Sequence, residues 1–201
     1  RFGETVPHAN IGTRRSMMRG YFGIGVEGVS KAMNAGNLYR SANAFGASFV
    51  FTVAAIYDDD AASDTSDAPG QVPFYHFETV ETLLLPEGCA LVGIELHDDA
   101  IELPSFCHPR RAAYVLGMER MGLSDEIISC CDYLTQIPTR FSLNLASAGA
   151  VVMYDRLISL RRFGVRPLVP GGPVEPLPEH VFGDPVWKRK QRRREAGAEV
   201  K

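Results

Sequence analysis

The sequence predicts an α/β fold: a mostly parallel sheet with helices on both faces. Three observations predict it. Strand-like runs alternate with helical patterns across residues 22–163. The runs are continuously apolar, as strands buried on both faces are. The chain of 201 residues, 45% hydrophobic and 22% charged, suits one domain with tails. The same composition excludes a disordered chain, a collagen-like repeat and a disulfide miniprotein.

The elements follow in order. Residues 1–20 form a basic arm with Arg14, Arg15 and Arg19, and residues 22–27 (FGIGVE) a short strand. In residues 34–46, Leu38, Ala42 and Phe45 repeat at helical spacing, and Gly46 stops the helix. Residues 48–55 (SFVFTVAA) are a strand, β-branched and aromatic with no charge. Residues 57–73, rich in Asp, Ser, Gly and Pro, are a loop. A short helix over 80–85 ends at Pro86, and strands follow over 89–96 and 113–117. Ser124 and Asp125 open a helix over 124–131. A strand over 133–137 stops at Pro138, and the longest helical pattern covers 145–163. Residues 164–201 turn to Pro and Gly, then to the basic run KRKQRRR at 188–194. The domain proper is therefore 21–163.

The net charge of −3 hides an uneven spread. Without the six charges of the basic run, 15 basic residues face 24 acidic ones. An acidic body does not suit a generic polyanion binder; the tail is either a solvated end or a contact for phosphate backbones. Cys89, Cys107, Cys130 and Cys131 have no CxxC spacing, which fits reduced thiols in a cytoplasmic protein. No apolar stretch reaches the roughly 18 residues that a membrane span needs, and the first twenty residues hold no secretion-signal core. The chain starts without Met, so its numbering is expected to begin inside the native chain.

Gly23, Gly25 and Gly28 spell G-x-G-x-x-G, but the glycines lie inside the first apolar run and not between a strand and a helix. A dinucleotide role is therefore disfavoured against a strand packed closely on its neighbours. Glu95, His97, Asp98 and Asp99 sit at a strand end without completing any metal-ligand spacing, so no metal is expected. His108, before Pro109, is a loop histidine sooner than a base.

Three segments belong together. The first is Asn34-x-Gly36-x-x-x-Arg40-x-Ala42, on the first helix. The second is residues 116–124 (LGMERMGLS) and the third residues 137–148 (IPTRFSLNLASA); each is a strand end, a loop and a helix start. Singly, Asn34 is equally a cap, Arg40 a surface charge and Glu119 a helix-end partner. Together, in this order, they resemble the motifs of the SpoU (TrmH-like) RNA ribose 2′-O-methyltransferases of the SPOUT superfamily. The resemblance covers about residues 22–160 and is strongest in the third segment. Met118 stands where that family often has proline.

The resemblance implies a C-terminal deep trefoil knot, S-adenosylmethionine as cofactor, an RNA substrate with tRNA favoured over rRNA, and a homodimer. It implies that Ile94, Glu95, Gly117, Ile137, Ser142 and Leu143 hold the cofactor. It also implies that Arg40 acts at the reacting 2′-hydroxyl, with Asn34, Glu119 and Asn144 orienting it or fixing the loops. Arginine is nearly always protonated, so binding phosphate and stabilising a developing alkoxide suits it better than a free-base role. Ser142 either bonds the cofactor or caps the next helix. The small residues Ala148, Gly149 and Ala150 either admit a second copy or pack on the chain's own sheet. The alternative function is a catalytically silent RNA-binding module of the same fold.

Overall fold

A computed structural model describes residues 20–28, 32–55, 72–118 and 121–160. The strands are β1 (Tyr21–Glu27), β2 (Phe49–Val53), β3 (Phe74–Phe77), β4 (Ala90–Ile94), β5 (Ile101–Glu102), β6 (Arg111–Leu116) and β7 (Tyr133–Gln136). The helices are α1 (Ala32–Phe45), α2 (Asp125–Cys130) and α3 (Leu145–Ser159). The seven strands form one sheet in the order β3-β2-β1-β6-β4-β7-β5, and every pairing is parallel.

Both faces are covered, as the unbroken apolar runs require. On one face Ile24, Val26, Val92 and Tyr114 meet Leu38 and Ala42 of α1 and Val152 and Met153 of α3. On the other, Phe49, Phe51, Leu91 and Val115 meet Ile127 of α2. The G-x-G of β1 has a packing cause. Gly23 and Gly25 stand opposite Phe49 and Phe51 in the register, and a Cβ on either glycine would enter those rings. The glycines make room for aromatic side chains on the neighbouring strand.

The crossovers are unusual. The connection from β4 to β5 passes the position of β7, that from β5 to β6 returns across β7 and β4, and that from β6 to β7 crosses β4 again. Parallel neighbours cannot be joined by tight turns, so the loops after β4, β6 and β7 all gather at the carboxyl edge.

Several sequence expectations shift. Residues 80–85 are turns, not a helix: Thr82 Oγ1 donates to the Thr79 carbonyl at 2.8 Å, and Leu83 N–H to the Val80 carbonyl at 3.1 Å. Six residues before a proline are too few to repay helix nucleation, while Val80, Leu83 and Leu85 still pack on the core. The strands β3 and β5 were not expected. The first is a half-exposed edge strand and the second has two residues, so neither carries an apolar run. Helix α1 begins at Ala32, which puts Asn34 in its first turn and not at its cap. Helix α3 ends at Ser159, and residues 161–163 lie outside the described part, as do the arm before Gly20 and the whole tail.

At the amino edge, α3 is tied to the sheet by a buried polar network. His108 is 4% exposed, so it is no loose loop residue. Its Nδ1 lies 2.6 Å from the Tyr114 hydroxyl and its Nε2 3.0 Å from Asp155 Oδ2. Arg156 donates to the same hydroxyl at 3.0 Å. The Asp155 carboxylate accepts, so Nε2 carries the hydrogen, and in the neutral ring the Tyr114 hydroxyl donates to Nδ1. This arrangement uses a neutral imidazole. Burial pushes the Tyr114 hydroxyl up to about 12 and lowers His108 from its ordinary value, with Asp155 opposing that and Arg156 adding to it.

A pH dependence follows. The unfolded chain takes up more protons at His108 once pH falls below its unfolded value near 6.5. Stability is then full above about pH 6.5 and declines as the pH drops from there toward the lowered folded value. The urea midpoint of the parent chain should fall as the pH drops below about 6.5, and His108→Gln should flatten that slope.

Candidate active site

At the carboxyl edge the loops enclose a cleft of about 370 Å³. Its walls include Ile94, Glu95 and Leu96 after β4, Leu116, Gly117, Met118, Met121 and Gly122 after β6, and Gln136, Ile137, Thr139, Ser142 and Leu143 after β7. Leu145 and Ala148 of α3 close it. All six residues named for the cofactor, Ile94, Glu95, Gly117, Ile137, Ser142 and Leu143, line this one cleft.

Backbone geometry builds the walls. Gly117 has no room for a Cβ, which would strike the backbone of Gly122 and Leu123. The Gly122 N–H donates to the Met118 carbonyl at 2.8 Å, and Gly122 has φ +70°, in the left-handed region that glycine favours. The Glu95 carboxylate joins two walls: Oε1 accepts from Leu96 N–H at 2.9 Å and Oε2 from Leu123 N–H at 2.7 Å. Removing that acceptor leaves a partly buried N–H unpaired, at a cost of about 1–3 kcal/mol. Glu95→Ala should therefore weaken cofactor affinity through wall disorder, read by calorimetry, and Glu95→Gln should lose less because its amide oxygen still accepts. Equal affinity in all three chains would remove Glu95 from the cleft's construction.

Behind this loop, Glu27 at the end of β1 accepts from Ser124 N–H at 2.8 Å and from Ser124 Oγ at 2.5 Å. Ser124 Oγ also accepts from Ile127 N–H at 3.2 Å, capping α2 as its sequence position suggests. On the third loop, Asn144 is the cap of α3, accepting from Ala146 N–H at 3.0 Å. The capping alternative for Ser142 therefore does not apply, and its side chain is left on the cleft wall.

Arg40, Asn34 and Asn144 are not among the residues that line the cleft. Arg40 is exposed on α1, on the side away from the buried Leu38, Tyr39 and Ala42. Asn34 is half-buried in the first turn of α1. Gly28, just past β1, lies against the side chain of Met118, a residue that also lines the cleft. Glu119 and Arg120 lie outside the described residues.

The loops after Ile94, around Gly117 and over 137–143 were read as the walls, which takes in Leu116, Met118 and Thr139; the sequence reading missed Leu96, Met121, Gly122, Gln136, Leu145 and Ala148 as lining residues. Adjacency to named positions at strand ends was the available signal for Leu96 and Gln136. Of the suspected metal cluster, His97 Nδ1 accepts from Asp99 N–H at 3.1 Å, and Glu95 is occupied by backbone N–H groups. Among the described residues no three His, Cys, Asp or Glu gather as a metal site.

Comparison with known proteins follows the same outline. The model of the SpoU rRNA Methylase family matches residues 22–154. No curated protein sequence matches the chain. Among solved structures, the AdoMet-bound rRNA methyltransferase of Sinorhizobium meliloti is 22% identical with a TM-score of 0.61, over 71% of this chain and 57% of that one. The SpoU methyltransferase AviRb of Streptomyces viridochromogenes is 26% identical with a TM-score of 0.59, over 70% and 61%. A structure concerned with 2-OH methylation of C/U34 on tRNA is 21% identical with a TM-score of 0.61, over 71% and 97%. The chain thus spans about 57–61% of the length of the first two.

Proposed function

Because the chain belongs to the SpoU rRNA methylase family, we propose that it is an S-adenosylmethionine-dependent RNA methyltransferase acting on a ribose 2′-hydroxyl. The observation that carries this reading is the single cleft joining the three loops, with its apolar walls and backbone polar groups.

The residues present fit the cofactor. Ile94, Ile137 and Leu143 offer apolar walls to an adenine ring, and the loop backbones offer N–H and C=O groups to its edge. Bound there, S-adenosylmethionine supplies a methyl group on a sulfonium, already activated for displacement. The protein's own work is alignment of the hydroxyl with that methyl and help in losing the proton. Arg40, exposed and outside the cleft walls, holds a phosphate of the RNA and stabilises charge developing on the 2′-oxygen. Asn34 orients Arg40 or the ribose, and Glu119 and Asn144 fix the loops. The deep knot is part of this reading; the repeated crossings among β4, β5, β6 and β7 support it.

The RNA is tRNA in preference to rRNA. Supporting this, the neighbour whose length the match nearly fills is the one concerned with tRNA. The assembly is a homodimer in the cytoplasm. The outer side of α3 leaves Val151 and Tyr154 exposed for a second copy, while Gly149 faces Leu38 of its own α1. All four cysteines are free thiols, and no described helix is long and apolar enough to cross a membrane.

The test is transfer of labelled methyl from S-adenosylmethionine to total tRNA and separately to rRNA, with nuclease mapping of the product. A 2′-O-methyl nucleotide in the tRNA pool is expected. A base-methylated product would overturn the ribose assignment, and cofactor binding without transfer to either pool would favour a silent RNA-binding module.

A further inference from the structure

The cleft accounts for the residues on either side of Arg140 and Phe141, but not for these two. Thr139 and Ser142 line its wall, while Arg140 and Phe141 between them do not. Phe141 is 81% exposed. The loop that carries it is closed on itself: Thr139 N–H donates to the Ile137 carbonyl at 2.8 Å and Thr139 Oγ1 to the Phe141 carbonyl at 2.8 Å. A large aromatic ring is thus held in water at the mouth of the cleft by a braced backbone.

Charge narrows what the ring meets. Arg140 is the one cation in the described parts of the loops after β1, β4, β6 and β7, against Glu95, Asp98 and Asp99 on the β4 loop alone. Beside the phosphate contact that Arg140 offers, an RNA held here can draw on a second source of affinity. Stacking on an aromatic ring supplies it without charge, because every base has a π-face. A Phe ring has only two side-chain torsions to fix on binding.

We propose that Phe141 is the platform on which a base of the RNA substrate stacks at the cleft mouth, with Arg140 contacting the adjoining phosphate. This rests on the methyltransferase reading of the cleft and adds the group that seats the nucleotide.

The test compares the full chain with Phe141→Ala, Phe141→Trp and Arg140→Ala, using fluorescein-labelled bulk tRNA for binding and calorimetry for S-adenosylmethionine. Phe141→Ala should weaken RNA binding by about 5- to 150-fold, the range for loss of one stacked base. Phe141→Trp should bind as the parent does, Arg140→Ala should lessen the salt dependence, and cofactor affinity should be the same in all four. Equal RNA binding by the parent and Phe141→Ala, including no binding by either, overturns the proposal. So does a change of molecular mass in Phe141→Ala by ultracentrifugation, which would place the ring between two copies of the chain. Failure of the methyltransferase reading is distinguishable: the parent then binds RNA through Phe141 yet transfers no methyl group.

Discussion

Arg40→Ala should lower methyl transfer by about two to three orders of magnitude, the effect of removing one group that stabilises developing oxyanion charge, and leave cofactor affinity unchanged. The lost rate rests on the role proposed for Arg40, and the unchanged affinity comes from where α1 puts the residue. Leu38 and Ala42 are fully buried on the sheet, and the Tyr39 hydroxyl donates to the Phe51 carbonyl at 3.1 Å. The helix is thereby fixed in rotation with Arg40 outward. Nothing packs on Arg40 as core, so truncation should not unfold the chain, and it lines no part of the cleft. Arg40→Lys should recover only part of the rate, since an ammonium keeps the charge but not the planar fork that grips a phosphate. Single-turnover transfer at saturating RNA, beside calorimetry with S-adenosylmethionine, separates the outcomes. Transfer at the parent rate would take Arg40 out of the reaction, and lost cofactor binding would make it a structural residue.

Arg156→Met should cost at least about 1–3 kcal/mol of stability, the penalty of leaving buried polar groups unpaired. Only 2% of Arg156 is exposed. Its guanidinium donates to the carbonyls of Pro109 at 2.5 Å, Arg110 at 2.8 Å and Tyr21 at 3.2 Å, and to the Tyr114 hydroxyl. It also lies over the Phe22 and Tyr114 rings, at 5.3 and 5.8 Å from their centroids. Methionine fills part of the volume but leaves these carbonyl acceptors unpaired under α3, and each is costly without water. Lysine keeps the charge but offers a compact ammonium where a broad fork reaches partners on three segments, so Arg156→Lys should also be destabilised. Urea unfolding measures both. A loss below about 1 kcal/mol, the scale of a surface change, would mean that water replaces the guanidinium and that the network is not what anchors α3.

Much of the fold was legible because burial on two faces leaves a mark in the sequence. Residues 48–55 and 89–96 contain β2 and β4 because strands covered on both sides must be continuously apolar, and residues 133–137 contain the less buried β7, bounded by Pro138. The cap of α2 was legible for a chemical reason: Ser124 supplies the oxygen that an unpaired first-turn N–H needs; the cap of α3 was sought at Ser142, two residues before Asn144, which holds it. The edge strand β3 was not, since Phe74, Tyr75, His76 and Phe77 make an aromatic run of only four residues, half-exposed at the sheet edge. The turns at 80–85 were mistaken for a helix because apolar spacing reports which side chains are buried, not whether the backbone between them has length enough to form one.

The cleft shows the same division. The sequence by itself determined the main alternation of strands and helices, the cap of α2 and the three loops that hold Ile94, Gly117 and Ile137, because each follows from local spacing. Tertiary structure alone decided that those loops meet in one cleft, since the strand order placing β4 between β6 and β7 is set by crossovers that local spacing does not encode. It alone decided that Gly23 and Gly25 yield space to Phe49 and Phe51, that Glu95 turns both oxygens to backbone N–H groups, and that His108 and Arg156 share a buried network. The physical reason is common to all of these. Each depends on a partner distant in the chain, brought near by burial that carries no record of which residues will face each other.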